Sequence, residues 1–234
     1  MPASKLSAQL LPNDFYDITE ADIARAAEEQ ALGMVAPSDP ILVKIAQEVL
    51  PEQIAGEDIQ QVISDLYEAA QGQRKGSRNN KKRRMLVGLA APQIQKSLRI
   101  VLIDTGIDFA RKRTGKLECF INPKIVWRSR ETEEGREGCF SAGPVWGLVR
   151  RPVAVKIRAI DISGKPIERI LEGFTARIAQ HEIDHLNGIR FPDRIKTDRK
   201  RHWVHAEEIA LYPKLIKHWP RLCSKEHWNQ LKQV

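Results

Sequence analysis

Cysteine is scarce in this 234-residue sequence, and long apolar stretches are missing from it. The three cysteines are too few and too scattered for a disulfide framework, so we expect free thiols or a metal thiolate. No run of about 18 apolar residues occurs, and residues 1–15 lack the continuous apolar stretch of a secretory signal. These absences argue against an exported or membrane-spanning protein and predict a cytoplasmic one.

Acidic residues are outnumbered by basic ones. Thirty-eight lysines and arginines against 30 aspartates and glutamates give a net charge of +8, which favours polyanionic partners. Two segments concentrate this charge. Residues 72–84 hold seven Lys or Arg and no acid or apolar side chain, and the tail at residues 199–234 combines basic residues with Trp203, Trp219 and Trp228.

Hydrophobic spacing indicates an α+β protein. Residues 56–70 carry apolar side chains at helical spacing. Five short β-branched segments follow, at residues 99–104, 118–123, 124–131, 153–161 and 166–171. A second helix is predicted after them, at residues 174–187. We therefore expect small mixed or antiparallel sheets packed around a central helix, which carries an HExxH motif.

That motif lies in the stretch QHEIDHLNG, residues 180–188. His181 and His185 are four positions apart, so both imidazoles lie on one helix face and can bind one metal ion. Glu182 lies beside them and can accept a proton from a metal-activated water. Gly188 stands where a left-handed C-cap is expected. The alternative is an ordinary amphipathic helix with two polar residues.

A catalytic metal needs a third protein ligand and an open position. One class of metallopeptidases continues the motif to a third histidine, but this chain has Phe191 at that position. His202 and His205 lie in the basic tail and are expected to be surface residues. Cys139, in the stretch EGCFSAG, is the best candidate, although a lone cysteine is more often a small buried hydrophobe.

Three ordered motifs resemble those of peptide deformylases: GLAAPQ at residues 88–93, EGCFS at 137–141 and QHEIDHLNG at 180–188. The supporting stretches DPIL, FINP and GFTARIAQ extend the resemblance over about residues 34–195. The resemblance implies a metal-dependent hydrolase that removes the formyl group from the N-terminal formylmethionine of newly synthesised proteins. It also implies one divalent metal ion, most commonly Fe(II), with Zn, Ni or Co able to take its place.

The resemblance assigns roles to individual residues. The implied metal ligands are Cys139, His181 and His185. Metal-bound hydroxide would attack the formyl carbon, with Glu182 as general base and then general acid. The implied oxyanion donors are the Gln93 side chain and the Phe140 backbone N–H. A stretch such as GLAAPQ, taken alone, would more often be a tight packing turn.

A methionine side chain requires an apolar pocket, and four residues near the motifs are candidates for binding it. These are Val87, Gly88, Phe174 and Ile178. The three apolar side chains among them could equally be ordinary core. Glu137 and Arg151 are candidates for a buried ion pair that holds the cysteine loop. Asp184 is a candidate for orienting a metal ligand.

The resemblance divides the chain into three parts: a partly helical N-terminal extension at residues 1–33, a deformylase-like catalytic domain at 34–198 with the basic insertion at 72–84, and the tail at 199–234. Because deformylation occurs at the ribosome, the insertion and the tail are candidates for contact with ribosomal RNA. The alternative is a solvated loop and a tail whose tryptophans pack on the domain.

Three residues depart from the pattern of the family. Leu86 stands where the first motif usually begins with glycine, Trp146 stands where an arginine is common, and Arg150 stands where a proline is usual. The departures at Leu86 and Trp146 motivate an alternative, a catalytically silent or altered-specificity deformylase-like protein that binds the ribosome or RNA. We still expect activity, because the implied ligands, the base and the oxyanion donor are present.

Overall fold

The computed structural model describes residues 19–22, 24–25, 33–71, 86–107 and 116–232. Its strands are β1 (Gly88–Ala90), β2 (Ile100–Asp104), β3 (Leu117–Arg128), β4 (Thr132–Gly138), β5 (Val145–Pro152), β6 (Ala154–Ile160), β7 (Pro166–Glu172) and β8 (Arg201–Trp203). Its α-helices are α1 (Glu57–Ala70), α2 (Gly173–Leu186), α3 (Tyr212–Leu215) and α4 (Lys225–Leu231).

The strands form two sheets, and every strand pair within them is antiparallel. One sheet has the order β1-β2-β3-β6-β7 and the other β4-β5-β8. Helix α2 contacts both sheets, and 11 of its residues are buried. Ile178 and Ile183 pack with Val101, Ile103 and Phe120 of the larger sheet. The α+β prediction, with a central helix that carries the HExxH motif, is confirmed.

Strand β3 joins two segments that the sequence presents as separate strands. The pairing of β3 with β6 shifts register between Ile121 and Lys124. Asn122 has φ of +51°, and Pro123 has no N–H to donate to a neighbouring strand. The Asn122 amide bonds to the backbone N–H and carbonyl of Val49, which fixes this irregular point. The Asn-Pro pair therefore bends a single strand instead of ending it.

The hairpin β4–β5 was not among the predicted strands. Strand β4, TEEGREG, is charged and has no alternating apolar pattern, so the usual strand signal is missing. Its pairing with β5 runs in continuous register from Thr132 opposite Pro152 to Gly138 opposite Trp146. Tertiary pairing thus overrides a weak local preference, and it places Cys139 directly after the end of β4.

The C-terminal tail packs into the protein. Strand β8 pairs with β5, and Trp203, Trp219 and Trp228 are buried, which is the packing alternative raised for the tail. The prediction that His202 and His205 are surface residues is wrong, since both are buried. His202 Nδ1 lies 2.6 Å from the hydroxyl of Tyr212. Packing between segments that are distant in sequence buries these histidines, and the basic residues around them give no sign of it in the sequence.

The N-terminal extension is partly described. Residues 20–22 and 24–25 are helical, within the extension at 1–33 that is expected to be partly helical. Residues 1–18, 23 and 26–32 of that extension and the whole basic insertion at 72–84 lie outside the described residues. Among the helices that the structure describes, none is both long enough and apolar enough to cross a bilayer.

Candidate metal centre

Helix α2 presents two imidazoles at one point. The ring centroids of His181 and His185 are 5.0 Å apart. The helix ends at Leu186, and Gly188, two residues further on, has the predicted left-handed conformation, with φ of +68°. A side chain at Gly188 would also lie 2.5 Å from the backbone oxygen of Val43, so both backbone conformation and space favour glycine there. The end of the helix is therefore held one turn beyond the second histidine.

Cys139 completes the cluster from another part of the chain. It follows β4 and precedes a short 3₁₀ turn, Phe140–Ala142. Its sulfur lies 3.4 Å from His185 Nε2, and the ligand atoms of Cys139, His181 and His185 all lie within 4.8 Å of one another. Ligands of a tetrahedral Zn-type site, with metal bonds of about 2.0–2.3 Å, are roughly 3.5 Å apart. The cluster therefore fits one divalent ion bound by a thiolate and two imidazoles.

A buried ion pair orients the first histidine. Glu137 Oε2 lies 3.0 Å from His181 Nδ1, which leaves Nε2 of that ring to face the cluster. Arg151 donates two bonds to Glu137, of 2.7 and 2.9 Å. Burial would raise the pKa of Glu137, but the bonds from Arg151 and His181 hold it well below its usual range. Glu137 therefore remains ionised and contacts His181 on the ring nitrogen that faces away from the cluster.

Two further contacts tie helix α2 to the β4–β5 hairpin. Arg151 Nη1 donates to Asp184 Oδ2 at 2.8 Å, and Arg194 donates to the same carboxylate. Arg177 donates to Glu137 Oε1 at 2.8 Å. The cysteine and the histidines thus belong to elements joined by a buried charge network. Asp184 contacts Arg151 and Arg194 in this network, and among the described residues it has no bond to a histidine.

Glu182 lies in a different environment on the same helix. It is 5% exposed, and burial raises its pKa to about 7. Its Oε2 atom is buried without a hydrogen-bond partner among the described residues. A Cβ atom at Gly88 would lie 2.5 Å from Glu182 Oε1 and 2.7 Å from Ile178 Cγ2, so glycine lets strand β1 approach the carboxylate closely. A buried, unpaired carboxylate is suited to exchange protons with a bound reactant.

Gln93 is held with its amide nitrogen towards the cysteine. Its Oε1 accepts from the N–H of Ala90 at 2.8 Å. Its Nε2 donates to Ser141 Oγ at 3.1 Å and to Cys139 Sγ at 3.4 Å. Phe140 begins the 3₁₀ turn that follows Cys139, and the first N–H groups of such a turn have no partner within it. Two donors therefore lie beside the metal cluster.

The apolar residues predicted for the pocket belong to or pack against one cluster. Ile178 is a buried member of it, Val87 and Phe174 pack against it as partly buried side chains, and Gly88 lies close to Ile178.

Leu86 and Trp146, which depart from the family pattern, have structural partners. Leu86 packs against the core cluster of α1, and Trp146 packs edge-on against Tyr212 of α3, with ring centroids 5.7 Å apart.

Sequence reasoning missed three supporting residues. Ser141 accepts the bond from Gln93, Arg177 bonds to Glu137, and Arg190 donates to the carbonyl of Ser141 at 3.0 Å. A serine and two arginines in a basic protein carry no local signal of burial. Phe191, which replaces a third histidine, stacks on the ring of His181 with centroids 6.0 Å apart. The metallopeptidase pattern therefore fails in space as well as in sequence.

A thiolate and two imidazoles beside a buried glutamate on an HExxH helix define a metal-dependent hydrolase centre. The sequence model of the family described as Polypeptide deformylase matches residues 32–201. A peptide deformylase of Cytophaga hutchinsonii is 33% identical over 168 residues, which are 72% of this chain and 84% of that protein. One of Desulforudis audaxviator is 44% identical over 115 residues, 49% of this chain and 70% of that protein.

A solved structure shares the fold. The class I type b peptide deformylase of Acinetobacter baumannii, bound to Met-Ala-Ser, superposes with a TM-score of 0.60 at 29% identity, covering 69% of this chain and 96% of that one. The chain therefore belongs to the polypeptide deformylase family, whose members hydrolyse the N-formyl group from the formylmethionine of newly made proteins. The alternative of a catalytically silent RNA-binding protein is not supported.

Proposed function

We propose that Cys139, His181 and His185 bind one divalent metal ion, with Fe(II) as the native ion and Zn, Ni or Co as functional substitutes. The observation that carries this proposal is the convergence of the three ligand atoms within 4.8 Å, beside the Glu182 carboxylate. When bound, the metal would activate a water molecule and polarise the formyl oxygen. A mixed Cys/His site accepts several ions, and availability decides between them.

Glu182 is proposed to move the proton. Its carboxylate accepts a proton from the attacking water and then passes it to the leaving amine, so one residue acts first as base and then as acid. The raised pKa, about 7, suits both steps near neutral pH. The Gln93 amide and the Phe140 N–H would stabilise the oxyanion, and one such donor contributes about 3 kcal/mol in comparable hydrolases.

The methionine side chain of the substrate is proposed to contact Val87, Phe174 and Ile178, with Gly88 at the edge of the strand. Support comes from their shared apolar cluster, which adjoins Glu182 through Gly88. A pocket lined in this way would select an unbranched apolar side chain by contact area alone. Residues 34–198 would then form the catalytic domain, with residues 1–33 and 199–234 as additions to it.

Contact with ribosomal RNA is proposed for the basic insertion at 72–84 and the exposed lysines of the tail, Lys214, Lys217 and Lys225. The tail tryptophans are buried, so the contact would depend on charge and not on base stacking. Ribosome co-sedimentation should weaken steeply between low and moderate salt. Binding that is absent or insensitive to salt would contradict this proposal.

The test of the catalytic assignment is formate release from a formyl-Met peptide. Glu182→Gln should lower kcat by about 10²- to 10⁴-fold and retain the metal. The matched control is Glu172→Gln, at the exposed start of the same helix, which should keep activity. Wild-type protein purified anaerobically should hold about one Fe per chain by elemental analysis. A Glu182→Gln protein with full activity would contradict the assignment.

A further inference from the structure

Arg190, which follows helix α2, places a buried positive charge beside the cysteine turn. The residue is 1% exposed. Its Nη1 donates to the carbonyl of Ser141 at 3.0 Å and to the carbonyl of Pro37. Its Nε and Nη2 atoms are buried and have no hydrogen-bond partner among the described residues. Because a buried cation without compensation is costly, the guanidinium depends on whatever else surrounds it.

Helix α4 of the tail supplies part of that compensation. The guanidinium carbon of Arg190 lies 4.7 Å from the centroid of the Trp228 ring, within the range of a cation–π contact. The indole N–H of Trp228 donates to Asp193 Oδ1 at 2.7 Å, and Asp193 Oδ2 accepts from the backbone N–H of Arg190 at 3.1 Å. Trp228 is 1% exposed and lies outside residues 32–201, which match the family. The tail therefore holds Arg190 by its side chain and, with Asp193, by its backbone.

A chain of hydrogen bonds leads from Arg190 to Gln93. Arg190 bonds to the Ser141 carbonyl, and the Ser141 hydroxyl accepts from Gln93 Nε2 at 3.1 Å. The same Nε2 lies 3.4 Å from Cys139 Sγ. At the other end of the amide, Gln93 Oε1 accepts from the N–H of Ala90 at 2.8 Å. Since strand β1 fixes the oxygen, the direction of the amide N–H groups depends on where Ser141 lies.

We propose that Arg190 is a positioning residue for the oxyanion donor Gln93, and that helix α4 supports catalysis because Trp228 holds Arg190. This inference rests on the proposed function, since it concerns one donor of the same centre. An oxyanion donor is effective only if it is fixed before the charge develops. Loss of its positioning therefore lowers kcat and leaves KM nearly unchanged.

The test is a double-mutant cycle on formate release from a formyl-Met peptide. Arg190→Met removes the charge and the bond to Ser141, and it should lower kcat by about tenfold. Gln93→Met removes the donor and should lower kcat by about 10²- to 10³-fold. In the Gln93→Met background, Arg190→Met should lower kcat by less than about twofold, because the donor that it positions is gone. Metal content by elemental analysis should match that of the wild-type protein in every variant.

Conservative variants separate positioning from folding. Arg190→Lys keeps the charge and one donor, so it should lose only about threefold in kcat, and it replaces Arg190→Met in the cycle if that variant does not fold. Trp228→Phe and Trp228→Leu both lose the bond to Asp193, but only Trp228→Leu removes the ring face under the guanidinium. Its kcat should be about two- to fivefold below that of Trp228→Phe. Arg199→Met, at an exposed arginine, is the control and should keep full activity.

The failures are distinguishable. Additive losses in the cycle, or a normal kcat in Arg190→Met, would overturn the positioning role and leave the proposed function standing. A raised KM at constant kcat would do the same. Equal kcat values for Trp228→Phe and Trp228→Leu would overturn the role of helix α4. Full activity of Gln93→Met, or no formate release from the metal-loaded wild-type protein, would remove the function on which the inference rests.

Discussion

Two buried carboxylates near His181 show how one centre combines rigidity with reactivity. Glu137 bonds to Arg151, Arg177 and His181 itself. Glu182, the residue after His181 on the helix, is equally buried but has one oxygen without a partner among the described residues. Their pKa values move in opposite directions, well below the usual range for Glu137 and up to about 7 for Glu182.

The difference lies in what each charge meets after burial. Removal from water disfavours both anions, but two guanidinium groups and an imidazole compensate Glu137. Glu182 lacks a comparable set of donors, so its protonated and ionised forms lie close in free energy near neutral pH. The paired carboxylate holds a ligand in place, and the unpaired one is free to exchange a proton.

Glu137→Gln should give the largest effect on stability. The amide leaves Arg177 and part of Arg151 buried without a counter-charge, which should cost about 3–5 kcal/mol of unfolding free energy. Metal affinity should fall as well, because His181 loses the partner that orients it. Urea denaturation and a metal-binding titration measure the two effects. Glu133→Gln, at an exposed position on the same strand, is the control.

Glu182→Gln, in contrast, should increase the free energy of unfolding. Burial raises the folded-state pKa of Glu182 to about 7, from 4.5, so the folded protein holds a proton that the unfolded chain releases between these pH values. Stability of the metal-free protein therefore falls as the pH rises through this window. Glu182→Gln does not titrate and should be about 1–3 kcal/mol more stable than wild type at pH 8.

This gain in stability should shrink towards zero below pH 4.5, where residue 182 is neutral in the folded and the unfolded state of both proteins. Denaturation curves with a chelator present, measured from pH 4 to pH 8, give the comparison. A Glu182→Gln variant that is less stable than wild type at pH 8 would show that the folded protein stabilises the ionised Glu182 carboxylate.

Gly88→Ala tests whether strand β1 lies close to the Glu182 carboxylate. The added methyl group would lie 2.5 Å from Glu182 Oε1 and 2.7 Å from Cγ2 of the buried Ile178, so both side chains must shift. A displaced carboxylate loses its alignment, so kcat should fall by about tenfold, and the overpacking against Ile178 should also cost about 1–3 kcal/mol of unfolding free energy. Gly56→Ala, at the N-cap of α1, is the control. A change in stability without a change in kcat would argue against a close contact between strand β1 and the base.

Arg194→Ala should give the smallest effect. Arg194 and Arg151 both bond to Asp184, but the Arg194 side chain is 46% exposed and that of Arg151 is 5% exposed. Loss of the exposed partner should cost about 0.5 kcal/mol, whereas Arg151→Met should destabilise the protein several times more. Equal effects in thermal unfolding would show that burial does not distinguish the two arginines.

Local patterns predicted much of the centre. The HExxH spacing, the glycine that ends its helix and the glycine-flanked cysteine were all readable, because each depends on neighbours within one turn or one loop. The β4–β5 hairpin was not, since TEEGREG has no apolar alternation and forms a strand only by pairing with β5. The burial of His202 and His205 was missed for the same reason.

By itself, the sequence determined that two imidazoles and a carboxylate occupy one turn of a helix, because the helical repeat places residues four apart on one face. Only the tertiary structure decided what surrounds them. Cys139 precedes His185 by 46 residues in the chain, and the fold brings its thiol next to the imidazole. Arg25 contacts Phe140 in a segment that His205 and Ala206, both distant in sequence, fix through their bonds to Asp22. Such contacts depend on packing between distant segments, for which no local pattern in a single chain provides a signal.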